Sequence, residues 1–117
     1  MKYAFLLYDD PTNGAEMGTP EMDLEMQQWF TFTDELTASG KNLGGEALNP
    51  VETATTVRVR DGRTVTVDGP FAETKETLGG FYIVEAADLD EAIEWAAKVP
   101  NAPTGSVEIR PIMEFDG

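Results

Sequence analysis

The sequence contains neither cysteine nor histidine among its 117 residues. Without cysteine, disulfide bonds, thiol nucleophiles and cysteine-based zinc sites are excluded. Without histidine, no imidazole can act as a general base, a pH switch or a metal ligand. Any catalysis must therefore use Asp, Glu, Lys, Tyr, Ser, Thr or backbone groups. We expect no cofactor and no metal site.

Basic residues are also scarce, because Lys and Arg number 8 against 22 Asp and Glu, a formal net charge of −14. This charge repels phosphate backbones and anionic membranes, so we expect neither a nucleic-acid nor a membrane partner. Long hydrophobic runs are missing too. The apolar stretch Tyr3–Tyr8 is too short for a signal sequence or a membrane span, which needs roughly 20 residues. These features predict a cytoplasmic protein.

What is present predicts one folded domain over residues 1–117, with 41% hydrophobic and 26% charged residues. Lys2–Tyr8 is typical of a buried first strand. Thr19 as N-cap and Pro20 at the first helical position predict a helix that ends at Gly40. Its helical spacing predicts a core-facing stripe of Met22, Met26, Trp29, Phe30, Thr33 and Leu36.

The middle of the chain predicts a short strand, Lys41–Leu48, and then a hairpin of Thr56–Arg60 with Arg63–Asp68. If the four valines of the hairpin share one face, opposed residues must have the same parity. A two-residue loop would pair Val59 with Thr64 and separate the valines. We therefore predict a three-residue loop, Arg60–Gly62, that pairs Val57 with Val65.

The last third predicts a strand over Leu78–Ala86, a helix capped by Asp88, and a final strand over Val107–Phe115. Pro111 inside that strand indicates an edge position or a bulge. Trp95 lies roughly 120° from the helix stripe on a helical wheel, which predicts a boundary position or a subunit contact. That predicted buried stripe consists of Leu89, Ala92, Ile93 and Ala96.

This order of elements is βαββαβ with an inserted hairpin, an α+β, ferredoxin-like pattern. Its antiparallel sheet should carry both helices on one face. Few strand residues are polar enough for a solvent-exposed second face. We therefore predict that this face is covered in a homodimer.

Special residues concentrate between Asp68 and Phe81. Gly69 and Pro70 predict a rigid turn that projects Asp68 and Phe71. Gly79 and Gly80 would let another backbone or a ligand come close. The alternative is purely structural: Asp68 caps the turn, Phe71 fills core, and a nearby lysine forms a surface ion pair.

The segment Asp68–Phe81 reads DGPFAETKETLGGF and resembles the signature of the YCII-related, or DGPF-domain, family. Further matches lie at Gly45–Pro50, Ala54–Arg58, Leu89–Ala97 and Val107–Pro111. The resemblance implies a ferredoxin-like fold that usually assembles as a dimeric α/β barrel. Most members are bacterial, and some of their genes lie beside sigma factors of the extracytoplasmic-function class. One branch resembles enzymes with a His-Asp dyad, which this chain cannot form.

By motif position, the resemblance implies a ligand-binding set and two catalytic candidates, Asp68 and Lys75. Asp68 would shuttle protons from a partly dry cleft, and Lys75 or Arg58 would hold an anionic group. The ligand-binding set is Arg58, Asp68, Gly69, Pro70, Phe71, Glu73, Lys75, Gly79 and Gly80. Glu76 and Arg110 also match family motifs.

Three functions follow as hypotheses. The first is a module that binds a small polar or anionic molecule without turnover, in a regulatory role. The second is a cofactor-free lyase or isomerase with Asp68 as acid or base. The third is a protein-interaction module. The residues alone leave open whether the chain is an enzyme.

Overall fold

The computed structural model describes residues 1–13, 18–70 and 74–115. Within these ranges the predicted order of strands and helices is confirmed, and two single turns of 3-10 helix are added at Pro11–Asn13 and Val51–Thr53. The elements are β1 (Lys2–Asp9), α1 (Pro20–Ala38), β2 (Asn42–Ala47), β3 (Thr55–Arg60), β4 (Arg63–Asp68), β5 (Thr77–Glu85), α2 (Leu89–Ala96) and β6 (Ser106–Pro111).

The main sheet has the strand order β2-β5-β1-β6, and every neighbouring pair is antiparallel. Without the hairpin strands β3 and β4, this is the ferredoxin-like arrangement that the sequence predicts. Strand β1 is central, with Phe5 opposite Tyr82 on one side and Ile109 on the other. Pro111 ends the edge strand β6, where a missing backbone donor is tolerated.

The core lies on one face of this sheet. Alternate residues of β1, namely Tyr3, Phe5 and Leu7, are buried because successive side chains of a strand point to opposite faces. Both helices contribute to the same cluster, so the prediction that they share one sheet face is confirmed. The buried apolar residues are Tyr3, Phe5, Leu7, Phe32, Leu36, Val84, Ala86, Ala92, Ala96 and Val99.

Helix α1 begins where the sequence predicts, but the face that it buries differs from the predicted one. The Thr19 hydroxyl accepts the Met22 N–H at 3.3 Å. Phe32 is buried, although the predicted stripe omits it, whereas Met26 and Phe30 are 44% and 61% exposed. The buried face centres on Leu36, and at about 100° per residue Phe30 lies roughly 120° from it. The predicted core positions of Met26 and Phe30 are therefore wrong.

Helix α2 shows a similar correction. Leu89 and Ile93 are 51% and 49% exposed, so only the two alanines of the predicted stripe are buried. Half-buried Trp95 packs on the core instead, with its ring 6.3 Å from that of Phe32 in an edge-to-face arrangement. A Trp has far more surface to bury than Leu or Ile, which favours this rotation. Trp95 thus lies at the core boundary.

The predicted hairpin register is wrong. Strands β3 and β4 join through a two-residue loop, in which Asp61 and Gly62 have φ angles of 52° and 74°. Two positive φ values define the hairpin turn that Asp-Gly sequences favour. Val59 therefore lies opposite Thr64, the pairing that the three-residue loop was meant to avoid.

The premise that all four hairpin valines share one face fails for a physical reason. The hairpin forms a sheet of its own, so no core face fixes its register and the turn decides it instead. Val57, Val59, Val65 and Val67 are 59%, 59%, 43% and 55% exposed. The radius of gyration, 16.3 Å, exceeds the value of about 13 Å expected for a compact domain of this length.

The sheet face opposite the helices is apolar along its middle. Leu6 lies opposite Phe81, and Ala4 lies opposite Ile83, on the strand face that points away from the core. All four side chains are half-buried. Charged residues of β6 flank them, since Leu6 also faces Glu108. This apolar stripe is the surface on which the homodimer prediction rests.

Substitution Leu36→Ala tests the corrected face of α1. The Leu36 side chain is fully buried, so we expect the variant to lose about 2–5 kcal/mol of unfolding free energy. Leu24→Ala on the same helix is the control, because Leu24 is 57% exposed and should change stability by less than about 1 kcal/mol. Urea unfolding measures both, and equal losses would contradict the assigned core face.

Candidate functional site

A cleft of about 440 Å³ opens where β1 ends and the turn at Pro11 begins. Its walls combine apolar residues with a few polar groups, the usual character of a small-molecule site. Asp9 lies at the end of β1, opposite Thr77 of β5. The lining residues are Asp9, Pro11, Leu48, Asn49, Pro50, Val51, Glu52, Thr77, Leu78 and Gly79.

The carboxylate of Asp9 is held from behind by a buried amide. Asn101, only 6% exposed, donates from Nδ2 to Asp9 Oδ2 at 3.3 Å and to the Tyr8 carbonyl at 3.2 Å. The Thr77 hydroxyl donates to the Asp9 carbonyl at 3.4 Å. Side chain and backbone of Asp9 are therefore both fixed by neighbouring elements.

Burial raises the pKa of Asp9 above its ordinary value of 3.8. The hydrogen bond from Asn101 opposes this rise, and the nearby negative charges of Glu76 and Glu25 add to it. Desolvation and like charges both disfavour the ionised form. A carboxyl with a raised pKa at a cleft is suited to accept or return a proton.

Gly105 makes the close packing around Asp9 possible. A Cβ at this position would collide with the Asp9 carboxylate and with the Tyr8 carbonyl oxygen. The Gly105 N–H donates to the Asn101 carbonyl at 2.7 Å. The loop that supplies Asn101 thus comes within contact of β1 only because residue 105 lacks a side chain.

A second cleft, of about 520 Å³, lies on the other side of the β1 end. In it, the Ser106 hydroxyl donates to Glu76 Oε2 at 3.1 Å. Lys75 is mostly exposed and lies 3.9 Å from Asp10. Hydrogen bonds from Thr12, and then Lys75, lower the pKa of Asp10. The lining residues are Tyr8, Thr74, Lys75, Glu76, Ser106, Val107 and Glu108.

One part of the predicted site lies at the base of the hairpin. Asp68 ends β4 opposite Thr55 and is exposed. Gly69 has a φ of 103° and donates to the Ala54 carbonyl at 2.6 Å, so it forms the predicted turn. Pro70 and Arg58 are also exposed. Among the described residues these four line neither cleft.

The rest of the predicted set lies along and before β5. Gly79 lines the first cleft and Lys75 the second. A Cβ on Gly80 would lie 2.9 Å from the Glu46 carbonyl oxygen. The absence of a side chain at this position therefore lets β2 lie close to β5. Phe71 and Glu73 lie outside the described residues. Asp68 and Lys75 are thus not brought into one cleft.

Sequence reasoning missed Asp9 and Asn101. Asp9 follows the buried first strand directly, and an acid at the end of a strand is the signal that could have revealed it. Asn101 lies in the segment between α2 and β6, which has the composition of an ordinary loop. No pattern in a single sequence indicates that its side chain turns inward.

No three acidic side chains within residues 1–13, 18–70 and 74–115 are grouped so that they could hold a metal ion. Neither helix in these ranges is both long and apolar enough to cross a membrane.

Three comparisons show which known proteins this chain resembles. The model of the YCII-related domain matches residues 1–116. An uncharacterized protein of Rhizobium meliloti (strain 1021) is 41% identical over 115 residues, which cover 96% of this chain and 92% of that protein.

The third similarity is to a solved structure, 5-chloro-2-hydroxyhydroquinone dehydrochlorinase (TftG) from Burkholderia phenoliruptrix AC1100 in complex with 2,5-dihydroxybenzoquinone. The TM-score is 0.52 at 16% identity, over 98% of this chain and 96% of that chain. At this identity the similarity shows the fold alone.

Substitution Gly105→Ala tests the close packing around Asp9. The added methyl group must displace the Asp9 carboxylate or the β1 backbone, so we expect a loss of about 1–3 kcal/mol in unfolding free energy. Gly79→Ala is the matched control, because the nearest atom to its Cβ would be 4.0 Å away. A Gly105→Ala variant as stable as this control would contradict the described contact.

The raised pKa of Asp9 predicts a pH-dependent stability difference. The folded chain binds the Asp9 proton more tightly than the unfolded chain does. Protonation of Asp9 therefore adds to the free energy of unfolding in full below pH 3.8, and this contribution is lost as the pH rises through the folded-state pKa. Asp9→Asn should therefore have a higher Tm than wild type at pH 7, with a gap that narrows toward pH 4. Paired thermal scans measure this, and a gap independent of pH would refute the assigned shift.

Proposed function

We propose that this chain, which belongs to the YCII-related domain family, binds a small polar molecule in the cleft at Asp9. The observation that carries the proposal is the half-buried Asp9 carboxyl, which lines the cleft with a raised pKa. Asp9 is one of the residues that line the cleft, and its carboxyl would accept a hydrogen bond from a donor on a ligand.

The walls of the cleft indicate the ligand class. Leu48, Pro50 and Leu78 provide apolar contact, while Asp9 and Thr77 provide polar groups. Asp9 and Glu52 give the lining a negative charge, which favours an uncharged polar ligand over an anion. A small hydroxylated ring fits this description. The structural neighbour TftG, solved with 2,5-dihydroxybenzoquinone, supports the choice of a hydroxylated ring.

The family motif suggests a second location for the ligand within this proposal. Lys75 lines the neighbouring cleft and would hold an anionic group there. Asp68, Gly69, Pro70 and Arg58 would contribute only if a partner chain or the residues between Pro70 and Thr74 complete a site at the base of the hairpin. The motif-based assignment therefore competes with the cleft at Asp9.

A cofactor-free isomerase or lyase is the second candidate, favoured by the raised pKa of Asp9. In its ionised form Asp9 would take a proton from a substrate hydroxyl or carbon, and as an acid it would return that proton to another atom. Such a transfer balances without an external oxidant or reductant. In this candidate Asp9 takes the acid–base role that the sequence motif suggests for Asp68.

We further propose that the active form is a homodimer paired through the sheet face of Ala4, Leu6, Phe81 and Ile83. These residues form an apolar stripe on the face that the helices leave open. Covering such a face in a second copy removes apolar surface from water. A regulatory or protein-interaction role would use the same dimer.

Calorimetric titration with hydroquinone, which is uncharged at neutral pH, tests the proposed ligand class. 2,5-Dihydroxybenzoquinone, whose enolic hydroxyls ionise below neutral pH, is the anionic comparison and should bind more weakly. Asp9→Asn should weaken binding of hydroquinone by about tenfold, because a hydrogen bond to a charged group is lost, and should flatten the pH dependence of binding. Asp68→Asn should bind like wild type, since Asp68 lies outside the cleft.

Three results separate the assignments. Binding that only Asp68→Asn or Lys75→Ala weakens would transfer the site to the motif residues. Absence of hydroquinone binding would refute the ligand class. Turnover whose pH–rate profile loses an ionisation in Asp9→Asn would establish the enzymatic candidate in place of binding alone.

A further inference from the structure

The turn at Gly69 is a part of the family motif that the cleft at Asp9 leaves without a role. The Gly69 N–H donates to the Ala54 carbonyl at 2.6 Å, and the Gly69 carbonyl accepts from the Thr56 hydroxyl at 2.8 Å. The φ angle of 103° at Gly69 lies in a region that favours glycine. The turn therefore fastens the base of the hairpin to the residue that precedes β3.

The residues just before β3 form a large part of the lining of that cleft. We call residues 48–54 the wall segment, and all residues from 48 to 52 line the cleft. At one end of the wall segment, the Leu48 N–H donates to the Gly79 carbonyl at 2.9 Å. At the other end, the Ala54 carbonyl accepts the bond from Gly69. The wall segment is thus held between β5 and the motif turn.

Hydrogen bonds within the wall segment connect its Gly69 end to the cleft. The Ala54 N–H donates to the Val51 carbonyl at 3.0 Å, and the Thr53 N–H donates to the Pro50 carbonyl at 2.9 Å. The Thr53 hydroxyl donates to the same Pro50 carbonyl at 2.7 Å. These bonds form one short turn, so a shift of Ala54 is passed to Val51 and Pro50, both of which line the cleft.

Two glycines at opposite ends of the hairpin allow this connection to be separated from hairpin stability. Gly62 lies in the tip and Gly69 at the base, with φ angles of 74° and 103°. Among the described residues, an added Cβ at either glycine would meet no atom within 4 Å beyond its chain neighbours. Alanine therefore introduces backbone strain at both positions but disturbs the wall segment only at Gly69.

We propose that Gly69 is a positioning residue for the cleft at Asp9, which it reaches through the wall segment without touching the ligand. The inference rests on the proposed function, because it requires a ligand in that cleft. The wall segment supplies apolar Leu48 and Pro50 and the charge of Glu52. Its placement therefore sets both the apolar contact and the charge that a ligand meets. The family motif and the cleft at Asp9 then belong to one site.

Titration of glycine variants with hydroquinone tests this role. Gly69→Ala should weaken hydroquinone binding at least about fivefold, because strain at residue 69 loosens the hydrogen bond that holds the Ala54 end of the wall segment. Gly62→Ala is the matched control and should bind within about twofold of wild type. Circular dichroism confirms the fold of both variants at the temperature of the titration.

A second pair of variants leaves both glycines in place. Thr56→Val keeps the shape of the side chain and removes the hydroxyl that bonds to the Gly69 carbonyl, so hydroquinone binding should weaken about threefold or more. Thr66→Val is the control, because Thr66 lies opposite Val57 in the middle of the hairpin, away from the turn. This control should bind hydroquinone like wild type.

Amide hydrogen exchange tests the connection in the absence of any ligand. In Gly69→Ala the Thr53 and Ala54 amides should exchange at least about threefold faster than in wild type, because the end of the wall segment opens more often. In Gly62→Ala the rates of these two amides should stay unchanged. The amide of buried Ala86, which lies outside the wall segment, is the internal reference for global unfolding.

The results distinguish failure of this role from failure of the proposed function. Equal binding by Gly69→Ala and Gly62→Ala, or unchanged exchange of the Ala54 amide, would overturn the positioning role. An Asp68→Asn variant that weakens binding as much as Gly69→Ala would also overturn it, because the turn would then contact the ligand itself. A wild-type chain that binds no hydroquinone, with faster Ala54 exchange in Gly69→Ala, would refute the proposed ligand but support the connection.

Discussion

The pairing of β1 with both β5 and β6 is the constraint on which the rest of this structure depends. It fixes Tyr3, Phe5 and Leu7 toward the helices, and it leaves Ala4 and Leu6 on the opposite face. Because strand side chains alternate, a register shift of one residue would turn these three large residues to the opposite face. The same strand ends at Asp9, so the pairing that builds the core also delivers the carboxylate to the cleft.

The cleft at Asp9 shows how a chain without histidine can still hold a group with altered proton affinity. Asn101 supplies a neutral donor, which orients the carboxylate without neutralising its charge. Burial then raises the pKa, and Glu76 and Glu25 add to the effect. At Asp10, by contrast, hydrogen bonds from Thr12 and the charge of Lys75 lower the pKa. Adjacent aspartates in one sequence thus acquire opposite properties from their surroundings.

The sequence predicts the order of elements, the helix start at Thr19 and the edge position of Pro111, because these depend on local chemistry. It does not predict which helix face is buried. Phe32 and Trp95 displace Phe30 and Ile93 from the core through contacts between α1 and α2, and such contacts are invisible along one helix. The candidate site depends on tertiary contacts in the same way. Gly69 forms its turn as predicted, but only the fold brings Asn101 to Asp9.

The hairpin is where two levels of prediction conflict. A shared face for its valines requires one register, and the Asp61-Gly62 turn requires another. The turn prevails because positive φ at both positions is a local requirement, while among the described residues no further strand pairs with the hairpin to enforce the hydrophobic pattern. The register that this turn sets divides the valines between the two faces of the hairpin and places Arg60 opposite Arg63. A sequence that retains valines on both faces of a projecting hairpin, in a chain otherwise rich in acids, is consistent with contacts outside the monomer. The error in the predicted register and the exposure of valines on both hairpin faces therefore have the same physical origin, which is the Asp61-Gly62 turn.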